Sequence, residues 1–64
     1  MRDTDELNAL GRKIRSVLKV AKQPLALDEI ARRVGASRYD VHDAISISLH
    51  GWIEILPGSR YKLL

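Results

Sequence analysis

The tripeptide Gly35-Ala36-Ser37 constrains this chain more than any other feature, because it separates two apolar helical runs by a link that only a tight turn can make. Before it, Ile30, Ala31 and Val34 repeat on one helix face and stop at Gly35, a residue that takes the left-handed conformation cheaply and so ends helices. After it, the Ser37 hydroxyl can accept from an orphan amide of the next turn, and Asp40 sits where the helix dipole favours negative charge. On a wheel of about 100° per residue, Val41, Ala44, Ile45, Ser48 and Leu49 share one side of the helix that follows, and Tyr39, Asp43, Ser46 and His50 the other. One face packs and one is free. The stretch from Leu25 to Ile53 therefore reads as helix, turn, helix and the start of a strand.

A chain of 64 residues has room for one domain, residues 1–64, near the lower limit at which a single core suffices. It has no cysteine, which excludes a disulfide staple and a thiolate metal site. His42 and His50 have no neighbouring ligands, so neither a metal nor a cofactor is expected. No run resembles a signal peptide or a membrane span, and a cytoplasmic location is the expectation. The net charge is +3. One of the 11 basic and three of the 8 acidic residues precede Leu7, leaving ten against five after it. That surplus suits a polyanionic partner.

The first helix is expected from about Thr4 to Lys22, with Leu7, Leu10, Ile14, Val17, Leu18 and Ala21 spaced at three and four. Asp3 or Thr4 can cap it, with Asp5 and Glu6 in its first turn. Gly11 weakens its middle by roughly 1 kcal/mol relative to alanine; it marks either a close approach of another segment or a tolerated flaw. Arg12, Arg15, Lys19 and Lys22 form a basic stripe beside the apolar one, suited either to solvation or to phosphate. Pro24 turns Gln23 away from helical geometry and closes the helix. After a short extended link, the second helix runs from about Leu27 to Val34, with Ala26 a poor cap and Asp28 and Glu29 compensating through the dipole.

The third helix is expected from Arg38 to about Leu49. Beyond Gly51 the apolar period changes from 3.6 to 2, with Ile53 and Ile55 on one side and Trp52, Glu54 and Leu56 on the other. Pro57-Gly58-Ser59 is a turn, and Arg60 and Lys62 alternate with Tyr61 and Leu63 after it. A β-hairpin over about residues 52–64 follows. The fold class is thus α+β, mostly helical: a three-helix helix-turn-helix core and a C-terminal hairpin.

The PLALDEIARRVGAS run, the V-x-x-A-I-x-x-x-L spacing from Val41 to Leu49, the Gly51-Trp52-Ile53 step and the Pro-Gly hairpin together resemble the winged-helix family of helix-turn-helix domains, from Leu7 to Leu64. In that family the short link before the second helix is often a small strand. The resemblance implies sequence-specific binding of double-stranded DNA, with the third helix in the major groove and the hairpin as a wing on the adjacent backbone or minor groove. Ser37, Arg38, Tyr39, His42, Asp43 and Ser46 would then face the groove, and Arg60 and Lys62 would serve the wing. Arg38 suits bidentate guanine reading, with phosphate contact as the competing role. Ser37 serves mainly as a cap. Asp43 is awkward, since a carboxylate facing phosphates is repelled unless it accepts from cytosine or is paired.

The expected function is a small transcriptional regulator or architectural factor. One such module makes few contacts, so a homodimer on adjacent half-sites is a candidate state; Ile47, Ala9 with Val20, and Trp52 with Leu56 offer surface for it. Trp52 is otherwise expected to close the bottom of the core. The competing reading is a protein-interaction module that docks through Ile47, Trp52 and Leu56, since the family also contains scaffolds that bind only proteins. No nucleophile-base couple, carboxylate pair or phosphate loop appears, so neither an enzyme nor a small-molecule site is expected.

Overall fold

Apolar residues recur along one side of α1 (Thr4–Ala21), and in the computed structural model, which describes residues 4–64, Leu7, Ile14 and Leu18 on that side are buried. The chain continues through β1 (Leu25–Ala26), α2 (Leu27–Val34), α3 (Arg38–Ile47), β2 (Ile53–Leu56) and β3 (Arg60–Leu63). This is a helix-turn-helix core with a C-terminal hairpin, the α+β arrangement that the spacing predicts. α1 packs on both α2 and α3, those two pack on each other, and β3 lies against α1. Ile14, Ile30 and Val41, one from each helix, are fully buried in a single cluster. Each contributes roughly 1.5–3 kcal/mol by leaving water, which a two-turn helix such as α2 requires because it is too short to stand alone.

The turn between α2 and α3 forms as its residue types dictate. Gly35 is left-handed, with φ 71° and ψ 35°, and its N–H donates to the Ala31 carbonyl. The Ala36 N–H reaches the same oxygen at 3.1 Å. Ser37 is extended, and its hydroxyl accepts from the Asp40 N–H at 3.1 Å. At the other end of α2, Ala26 supplies no side-chain cap, so Asp28 and Glu29 are the acidic groups facing that helix terminus.

Several boundaries differ from expectation. α1 ends at Ala21, because Lys22 itself adopts a left-handed backbone with φ 61° and breaks the helix before Pro24 can. Of its two expected caps, Thr4 lies within the helix and Asp3 lies outside the described residues. α3 ends at Ile47 and not Leu49: the Ser48 N–H still closes an α-helical turn on the Ala44 carbonyl at 2.8 Å, but the Leu49 N–H reaches five residues back to that same oxygen, at 3.2 Å, instead of to Ile45, so the helical ladder stops. Leu49 remains buried all the same. Gly11 marks a close approach. A methyl group there would lie 2.6 Å from Ser48 Oγ and 3.1 Å from Ser48 Cβ, so glycine lets α1 come down on the end of α3.

The link after Pro24 is a strand, and the antiparallel sheet has the order β1-β3-β2. Tyr61 in the central strand faces Leu25 on one side and Ile55 on the other. Tyr61 and Leu25 are buried, while Ile55, on the edge strand, is 64% exposed. The predicted outward pair of Trp52 with Leu56 is not what forms: Leu56 is half-buried, and Ile55 is the outward apolar residue of β2. Trp52 does not close the core either. Its N–H donates to Leu49 O at 2.9 Å and its carbonyl accepts from the Leu64 N–H at 3.0 Å, which fixes it at the mouth of the hairpin. Leu49 and Tyr61 already belong to the core there, and the indole, 56% exposed, takes the Arg15 guanidinium over its ring at 4.8 Å. At the hairpin tip both Gly58 and Ser59 have positive φ, at 83° and 58°. No helix among the described residues is long and apolar enough to cross a membrane.

Candidate nucleic-acid interface

α3 is pinned along one side. Val41, Ala44 and Ile45 are buried against the other helices, and this leaves Arg38, Tyr39, His42, Asp43 and Ser46 on the open side, every one of them exposed. Ser37, also exposed, spends its hydroxyl on the cap. Tyr39, which could have packed beside α2, is 83% exposed. Arg38, Tyr39, His42 and Asp43 line one concavity together with Leu27 from the start of α2. The hairpin does not cover this face. Its tip instead lies to one side, where Gly58 and Ser59 border a second hollow together with Asp28 and Arg38.

Arg38 is not a bare cation. Its Nε lies 2.7 Å from Asp28 Oδ1, an ion pair that ties the first turn of α2 to the first turn of α3. Both side chains are mostly in water, so the pair adds about 0–1 kcal/mol to stability. Its larger effect is to aim the guanidinium. Asp28 was expected only to offset the dipole of its own helix; its role here depends on tertiary packing across the turn, which no local spacing encodes.

Asp43 has only a loose partner. Its Oδ1 is 3.9 Å from His42 Nδ1, beyond hydrogen-bond reach, and the contact becomes an ion pair only when the imidazole is protonated. Further along α2, Arg32 and Arg33 fold back onto Glu29 instead of projecting. Arg32 Nη2 donates to both carboxylate oxygens at 2.8 and 2.6 Å, and Arg33 Nε donates to one at 2.7 Å. The hydrogen bonds from Arg32, then those from Arg33, lower the Glu29 pKa from 4.5 to about 2. These two arginines are consequently half-neutralised, and the α3 side of the domain carries little net positive charge.

The two residues expected to serve the wing separate. Arg60 opens β3 beside the hairpin tip and pairs in register with Leu56 and Ala26. Lys62, two residues on, holds Glu54 of the neighbouring strand at 3.4 Å and lines a groove with Lys19 and Lys22. Ser37, Arg38, Tyr39, His42, Asp43 and Ser46 thus share one surface with Arg60 near it, and Lys62 belongs to another. Among the described residues no cluster of histidines and carboxylates could hold a metal ion.

What this surface can do follows from those geometries: it is a helix face that presents hydrogen-bonding side chains from successive turns, with a hollow at its start and a loop beside it. No family model, no curated protein and no solved structure matches this chain.

Proposed function

We propose that the chain is a winged-helix module that binds double-stranded DNA, with α3 in the major groove and the hairpin tip on the adjacent backbone. One observation supports this above the others: α3 is held on one side by buried Val41, Ala44 and Ile45 while Arg38, Tyr39, His42, Asp43 and Ser46 are all exposed on the other. An α-helix presented this way fits a groove about 12 Å wide. Arg38, aimed by Asp28, is the guanine-reading candidate; Tyr39 is placed to bond a phosphate; His42 and Ser46, one turn apart, reach base edges. Asp43 then accepts from a cytosine amino group, the base-edge pairing that suits a carboxylate. Ser37 sets the helix start, and Arg60 neutralises a phosphate at the wing. Because such a module makes few contacts, two copies on adjacent half-sites would supply the specificity of a regulator.

Selection of bound duplexes from a random pool tests this. An enriched sequence is expected, and Arg38→Ala should weaken binding to it by about 1–3 kcal/mol and relax one position of the site. Arg60→Ala should weaken all duplexes alike and reduce the salt slope by about 1. A second reading, docking of a protein partner, is favoured by the exposure of Ile47, Trp52 and Ile55. Absence of duplex binding at low salt would leave that reading in place.

A further inference from the structure

The cations of this chain collect away from α3. Arg12, Arg15 and Lys19 share an arc of α1 and line a groove floored by Leu63 of β3. Lys19 and Leu63 continue into a second groove, where Lys22 and Lys62 join them. The row spans about two turns of helix and the end of the sheet; from Arg12 to Lys19 it rises about 10 Å. Among the described residues no carboxylate side chain lines either groove. Glu54 reaches only the edge, through Lys62. Beside the row stands Trp52, mostly in water, with Arg15 over its ring at 4.8 Å.

A row of cations tracks a sugar-phosphate backbone, and a largely exposed indole beside it offers aromatic surface on which a base can stack. The two occur here within one side chain of each other, through Arg15. We propose that this face of α1 and β3, with Trp52, is a second nucleic-acid site, and that its ligand is a single strand. A duplex would offer its phosphates to the row, but it keeps its bases stacked inside and would leave Trp52 unused. None of these residues belongs to the α3 surface.

Trp52 is the sole tryptophan of the chain, so its emission reads this site and not the other. Titration of the full chain at low salt with oligodeoxythymidylate, and separately with oligouridylate, should quench that emission, with an affinity that falls steeply as salt rises. Tighter binding of one strand than the other identifies DNA or RNA as the source. Lys19→Glu should weaken strand binding at least tenfold, and Trp52→Ala, followed by anisotropy of a labelled strand, by about 5- to 100-fold. Lys19 is exposed, so its replacement leaves folding intact, as thermal melts of each variant will verify. Arg38→Ala should leave the quenching unchanged, which separates failure of this site from failure of the duplex reading. No quenching with either strand, or quenching that Lys19→Glu leaves as it was, would overturn the proposal, as would full displacement of the strand by duplex with no change in emission.

Discussion

The α3 face and the α1 groove divide between them what a DNA-binding surface ordinarily combines. α3 has the shape for reading a groove but little net charge: Arg38 is tied to Asp28, and Asp43 stands beside His42. The α1 groove has Arg12, Arg15, Lys19, Lys22 and Lys62, and among the described residues no carboxylate lines it. Sequence reading depends on geometry and affinity on charge. On the proposed reading the two lie on different faces of one small core, so they can be altered separately.

The most damaging change should be one that removes both surfaces at once. Ile14→Ala deletes a fully buried side chain at the junction of the three helices and should cost about 2–5 kcal/mol, enough to unfold much of a domain this size. Urea unfolding followed by circular dichroism measures it; a loss below 1 kcal/mol would mean that the core is not shared. Gly11→Ala acts where α1 meets the end of α3. The added methyl has to displace Ser48, an overpacking cost of about 1–3 kcal/mol set against roughly 1 kcal/mol of helix propensity gained. A net loss of stability is expected, recovered in part by Ser48→Ala, which removes the nearer contact.

Smaller effects separate the surfaces. Ser37→Ala removes the cap of α3 and should cost about 1 kcal/mol, loosening the start of that helix while the strand affinity proposed for the α1 groove should be unchanged. The smallest effect is that of Glu29. Its pKa is depressed from 4.5 to about 2 by Arg32 and Arg33, so its contribution to stability is complete above about pH 4.5 and fades as pH falls toward 2. The difference in urea midpoint between wild type and Glu29→Gln should therefore be larger at pH 7 than at pH 2. An unchanged difference would show that the cluster adds nothing to folding.

Much of the fold is legible in the sequence because its signals are local. Gly35 and Ser37 each act within a few residues, and the change of period after Gly51 marks the hairpin without reference to anything distant. The limits of prediction fall where distant segments meet. Trp52 is the type of residue a core takes, and its exposure follows from backbone bonds to Leu49 and Leu64 and from Arg15, far earlier in the chain. Ile55 and Leu56 alternate as a strand should, but which of them is covered depends on the place of β2 at the sheet edge. The candidate site shows the same split. The open face of α3 could be read from a helical wheel, whereas the Asp28–Arg38 pair and the transfer of Lys62 to the basic groove required the packing of α2 on α3 and of β3 on α1.

Amide chemical shifts of the isotopically labelled chain, recorded while the duplex enriched by selection is added, test the division most directly. The largest shifts should fall on residues 37–46 and on the hairpin tip, 57–60, with Arg12, Lys19 and Trp52 scarcely moved. Shifts concentrated on α1 and Trp52, with α3 silent, would contradict it.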